Sequence, residues 1–179
     1  MMYFLRNQIS KKSALAGFTM VEVLVAVVII GILAAIAVPS WMRLMSNQRV
    51  SRAQEEAYQA FREARFNAQR EKRSWEVEFR TNSGQVEYSV HNSDATASWR
   101  ELTNDAEKIA IDDSRTNLSS NNIEFQHDGI VSDDIDEENL PRITFKPKEQ
   151  SSPVYCVFIT TKLGALHRDK GDSSCSPSP

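Results

Sequence analysis

Glu22 is the side chain with the most chemistry to account for, because it is the only charge in the 21 residues from Phe18 to Val38. An unpaired carboxylate in hydrocarbon costs about 2.5–3.5 kcal/mol on insertion scales, so an acid in such a run marks a function. Two accounts of it stand. It pairs with a cation at similar depth, or it reaches back to the membrane interface, one turn away. Upstream lies a short basic segment, with Arg6, Lys11 and Lys12, that ends at Gly17. This inverts a secretory signal, whose small-residue cleavage site follows its apolar region. A cut at Gly17 would keep the apolar run as the new N-terminus.

The element that must position Glu22 is a helix. At about 1.5 Å per residue, Phe18 to Val38 covers roughly 30 Å, one hydrocarbon core. The three upstream cations keep the N-terminus cytoplasmic, and everything after about Pro39 falls on the far side. Gly31 and Ala35 form a small-x-x-x-small pair that lets helix backbones approach, although plain apolar filling accounts for them equally. Pro39 has no backbone donor and clashes with the preceding turn, so it kinks or loosens the helix there.

The opening Gly17-Phe18-Thr19-Met20-Val21-Glu22, the apolar span and the closing Pro39 resemble the type III leader of type IV pilins and type II secretion pseudopilins. The resemblance covers residues 17–39. It implies that a prepilin peptidase cuts between Gly17 and Phe18 and N-methylates Phe18. It also implies that Glu22, the fifth mature residue, pairs during assembly with the Phe18 amine of a neighbouring subunit. The stretch from Gly31 to Pro39 is then expected to extend or melt when subunits pack. The implied partners are other pilins or pseudopilins, the peptidase, an inner-membrane assembly platform and membrane lipid.

Removing 17 of 179 residues takes away three cations and no acid, leaving 162 residues with 18 Lys and Arg against 24 Asp and Glu. A net charge of −6 argues against broad electrostatic binding to nucleic acid, which needs clustered cations. From Trp75 onward 105 residues remain, enough for one small core. Cys156 and Cys175, the only cysteines, read as a disulfide in an oxidising compartment. Two thiols and three scattered histidines (His91, His127 and His167) argue against a metal centre.

Residues 41–73 continue as an amphipathic helix. Ala53, Ala57, Ala60, Phe61, Ala64 and Ala68 recur at helical spacing and predict a stripe packed on a sheet. After Ser74 the period becomes 2. Trp75, Val77 and Phe79 alternate with charged residues, Asn82-Ser83-Gly84 supplies a turn, and Val86, Tyr88 and Val90 alternate again. Further strands are predicted at 99–102, 109–111, 123–125, 142–145 and 154–161, with an Asp128-Gly129 turn after Phe125.

The predicted fold class is α+β: a long N-terminal helix, membrane-spanning in its first half, packed on an antiparallel β-sheet or on two small ones. The domains are a leader at 1–17, a helix at 18–73 with its membrane segment at 18–38, and a periplasmic β-rich domain at 74–179. The many-stranded β region and the strand Val154-Tyr155-Cys156-Val157-Phe158-Ile159-Thr160 resemble the GspH/FimT group of minor pseudopilins and minor pilins.

Two charged stretches carry weaker signals. Asp133 to Glu138 packs five acids into six residues. Oxygen-rich loops bind calcium, but without the ligand alternation and turn glycine of an EF-hand it reads as a solvated loop, with calcium the alternative. Gly164 to Lys170 holds the late cations His167, Arg168 and Lys170. Some FimT-type minor pilins bind DNA through a Gly-Arg-x-Arg element near this place. Here Ala165 and His167 stand where the two arginines would be, so a solvated strand end is the expected reading and DNA a weakly supported partner. No phosphate loop, nucleophile elbow or zinc-protease helix is present, and no cofactor is expected.

The function these readings imply is a minor pilin or pseudopilin, a non-enzymatic subunit of a type IV pilus or a type II secretion pseudopilus. The alternatives are a membrane-tethered periplasmic binding domain that never polymerises, or a DNA-uptake minor pilin.

Overall fold

The computed structural model describes residues 17–132, 141–149 and 153–176. The proposed leader, apart from Gly17, and the acidic run Asp133 to Glu138 lie outside the described residues. The chain divides into two units, Met1–Trp41 and Met42–Pro179.

In the first unit, helix α1 begins at Met20 and continues without interruption through Gly31 and Pro39. Its full extent is Met20–Glu71, 52 residues, slightly inside the predicted 18–73. It is long and apolar enough to cross a membrane, and nothing in its most apolar window is buried.

In the second unit α1 becomes a core element. Ala53, Ala57, Ala60, Phe61, Ala64 and Ala68 are all buried, as their spacing predicts. Methyl-sized side chains bring the helix backbone close to the sheets, and Phe61 then fills the centre. Its ring meets Phe79 edge-on at 5.6 Å and Phe125 at 6.5 Å, while Phe79 meets Phe145 at 6.1 Å. Such aromatic pairs add about 0.5–1.5 kcal/mol each beyond the area they bury. The helix ends where Lys72 turns to φ +56°.

Eight strands follow: β1 Trp75–Asn82, β2 Gln85–Asn92, β3 Arg100–Glu101, β4 Ile109–Ile111, β5 Asn122–Phe125, β6 Arg142–Pro147, β7 Tyr155–Ile159 and β8 Leu166–Lys170. They form two four-stranded sheets, ordered β3-β2-β1-β5 and β4-β6-β7-β8, and every named pair is antiparallel. The alternative of two small sheets is the one realised.

The β1–β2 hairpin turns through Ser83 and Gly84, both with positive φ (51° and 81°). That is the twist of a type I′ turn, which matches the twist of the strands it joins. The turn at Asp128-Gly129 forms as predicted, with the Gly129 N–H donating to the Gln126 carbonyl and Phe125 bridging to Val131. At Gly164 (φ +73°) a Cβ would sit 3.1 Å from the Gly129 carbonyl and 3.2 Å from the Phe125 ring. Only glycine lets these two loops approach so closely.

Two strands differ from expectation. The predicted 99–102 strand shrinks to Arg100–Glu101, because Trp99 leaves the ladder to stack under Arg80 at 3.8 Å and Leu102 turns into the core. The fully paired β8 is absent from the predicted strands. Leu166 is its only apolar residue, so it has no alternation to read; pairing of its whole length with β7 makes it a strand.

Candidate functional site

The start of α1 is built around Thr19. Its hydroxyl accepts a hydrogen bond from the Glu22 backbone N–H at 3.2 Å, and its carbonyl accepts one from Val23 at 3.2 Å. Thr19 is therefore the N-cap and Glu22 the third helical residue, the Thr-x-x-Glu spacing of a capping box. Neither role was read from the sequence, although the spacing was there to find.

Position in the first turn matters for the Glu22 charge. The aligned peptide dipoles leave partial positive charge at a helix N-terminus, worth about 0.3–1 kcal/mol to a nearby anion. That is well short of the roughly 2.5–3.5 kcal/mol an isolated acid costs in hydrocarbon. The helix end softens the penalty without removing it.

Every residue from Gly17 to Leu44 is exposed, Phe18 at 80% and Met20 at 88%. A continuous apolar surface of this size on a protein is covered in use, by lipid or by other apolar helices. A Cβ built on Gly31 would meet nothing within 4 Å, so the small-residue notch with Ala35 is open.

The comparisons bear on this same segment. Residues 13–38 match the family model of the prokaryotic N-terminal methylation motif. The N-terminal segment of this chain is type IV pilin-like. Type IV major fimbrial proteins FimA of Dichelobacter nodosus are 46% identical to it over 48 residues, which is 27% of this chain and 31% of theirs. The match thus spans about a third of those relatives' length. No solved structure matches the chain significantly.

Gly17, Phe18, Thr19, Glu22 and Gly31 fall inside the matched segment, with Pro39 just beyond it. The distal site residues lie in the second unit. Cys156 and Cys175 form a disulfide with their Cα atoms 5.7 Å apart, and both are fully buried. It fastens β7 to the turn after β8.

The late cations do not form one surface. Residues 166, 168 and 170 share one face of β8, and 167 and 169 share the other. Arg168 pairs with Glu55 of α1, and its guanidinium lies 4.5 Å over the Tyr58 ring. His167 turns the opposite way, packing against Phe158 with ring centroids 5.0 Å apart. Strand alternation therefore separates His167 from Arg168 and Lys170, and Arg168 already has an acidic partner.

Proposed function

We propose that this chain is a minor pilin or pseudopilin of the GspH/FimT type. It serves as a non-enzymatic subunit of a type IV pilus or type II secretion pseudopilus. The observation that carries the pilin part of this reading is Glu22, capped into the first turn of a helix whose membrane-length apolar stretch is exposed throughout. A simple anchor needs no such acid.

In this reading the chain inserts once into the bacterial inner membrane. Its N-terminus is cytoplasmic and its β domain periplasmic. Prepilin peptidase removes residues 1–17 and methylates the Phe18 amine. Cleavage creates a cation one turn from Glu22, too close along its own chain to span subunits but suitably placed to meet the Glu22 of a neighbour. Pairing neutralises both charges in the apolar bundle and fixes the axial register of the incoming subunit. The assembly platform then draws the helix out of the membrane against other pilins. Gly31 to Pro39 is the part that yields, since Pro39 cannot donate to the Ala35 carbonyl.

The test is Glu22→Ala, followed in membrane and sheared-filament fractions. A parent chain found in the filament fraction, with Glu22→Ala at normal membrane levels but lost from that fraction, supports assembly. A parent chain absent from filaments would leave a tethered domain, and undiminished incorporation of the variant would overturn the role of Glu22. The intact mass of the mature chain supplies the companion result. A chain beginning at Phe18 with one added methyl is expected, and retention of residues 1–17 would overturn the reading.

A further inference from the structure

The outer face of the β3-β2-β1-β5 sheet carries a cluster that pilus assembly does not use. Along β1, Val77 and Phe79 enter the core, so Glu76 and Glu78 face the other way. The register puts His91 of β2 directly opposite Glu76, and Ser89 opposite Glu78. On the other side of β1, Glu124 and Asn122 of β5 stand opposite Glu76 and Glu78. One ligand atom each from Glu76, Glu78 and His91 lies within 4.8 Å of the others.

The cluster is short of positive charge. Among the described residues no Lys or Arg pairs with Glu76, Glu78 or Glu124. The nearest cation along β1 on this face, Arg80, is bound to Glu87 at 2.7 Å and stacked on Trp99. Like charges opposite each other across a ladder are destabilising, so an unneutralised Glu76–Glu124 pair calls for a cation.

The surroundings suit an ion more than water alone. All three candidate ligands are half-buried. Ser89, fully buried, has its hydroxyl 3.3 Å from His91 Nδ1 and accepts from the Ser98 amide at 2.9 Å, which orients the imidazole. An outer-shell hydroxyl of this kind is what sets the ring of a metal-ligating histidine. Asn122 donates through Nδ2 to Glu76 at 3.0 Å, while its Oδ1 is buried with no hydrogen-bond partner. Turning that amide over would aim the orphaned oxygen at Glu76, a repulsive arrangement unless a cation lies between them.

We propose that Glu76, Glu78 and His91 bind a divalent first-row transition-metal ion, with zinc the best fit. Two carboxylates and one imidazole match the charge of the ion and leave a fourth position open. Bonds of about 2.0–2.2 Å place tetrahedral ligand atoms roughly 3.5 Å apart, so side-chain rotation of about an ångström closes the site. The ion would tie β1 to β2 on the face opposite the core and relieve the repulsion among the carboxylates.

The full chain in detergent, stripped with chelator and titrated with Zn²⁺ by calorimetry, tests this. Saturable uptake of about one ion per chain is expected. Glu78→Gln and His91→Gln should each weaken it at least about tenfold, while His127→Gln and His167→Gln leave it unchanged. Zn²⁺ should also raise the unfolding midpoint of the parent chain but not of Glu78→Gln, whose half-exposed amide keeps the fold. Absence of saturable binding, or parental affinity in Glu78→Gln and His91→Gln, would overturn the site.

Discussion

The Gln54 side-chain amide donates to the Cys156 carbonyl at 2.8 Å across 102 residues of sequence, and its Nε2 also reaches the Asp169 carbonyl at 2.7 Å. One polar side chain in the apolar stripe of α1 thereby satisfies two strand carbonyls beside the disulfide. Replacing Gln54 with Leu keeps volume and loses both bonds. We expect a loss of about 1–3 kcal/mol, the cost of unsatisfied buried acceptors, read from the denaturant midpoint with an unchanged slope. A loss below the error of the midpoint would show that water substitutes for the amide.

The disulfide acts on the same corner. Its two cysteines are 19 residues apart in sequence, and a loop of that size is worth about 3 kcal/mol through the unfolded state. The double Cys156→Ser, Cys175→Ser variant should fall by about that amount in equilibrium unfolding. An unaltered midpoint would mean that β7 and β8 hold the tail unaided.

Asp112 should give the fold a measurable acid limit. Its carboxyl is buried, which by itself raises the pKa. Hydrogen bonds from Ser114, Arg115 and Lys146, with the Lys146 charge, outweigh burial and hold it below the usual carboxylate range. A depressed folded-state pKa means the unfolded chain takes up the proton first as pH falls. The stabilisation is complete above the ordinary Asp value of about 4 and drains away as pH falls through the lower folded value. Asp112→Asn should therefore cost about 2 kcal/mol at neutral pH, with the gap to the parent closing under acid. A gap that stays constant down to the lowest pH at which the parent folds would refute the assignment.

The β1–β2 turn can be improved at one residue and damaged at the next. Ser83 holds φ 51°, where a non-glycine residue is strained. Asparagine tolerates that region and precedes glycine in the favoured type I′ pair, so Ser83→Asn should gain about 0.5 kcal/mol. Gly84→Ala should lose about 1–3 kcal/mol, since its Cβ would also lie 3.1 Å from the Lys148 amine. Thermal midpoints moving in the same direction for both variants would contradict a type I′ geometry.

Elements with a local signal were legible in the chain. The alanine stripe of α1 was visible because helical spacing puts residues 53, 57, 60, 64 and 68 on one face whatever they pack against. The hairpin was visible because strand alternation and a Ser-Gly turn lie within 18 residues of one another (Trp75–Asn92). The prepilin-like start was legible for the same reason: an acid in an apolar run is anomalous by itself. Even there Thr19 passed unread, as its hydroxyl matters only once the helix is known to begin at Met20.

What the sequence alone determined, then, is the long helix, the hairpin, most of the other strands and the anomaly at Glu22, because periodicity, turn chemistry and the cost of a charge in lipid are properties of short segments. Tertiary structure decided the pairings. It split the strands into two sheets, made a strand of Leu166–Lys170, separated His167 from Arg168 and gathered Glu76, Glu78 and His91 on one face. The physical reason is register. A shift of one residue between strands exchanges their two faces, and that choice is settled by the whole core, centred on Phe61, Phe79, Phe125 and Phe145.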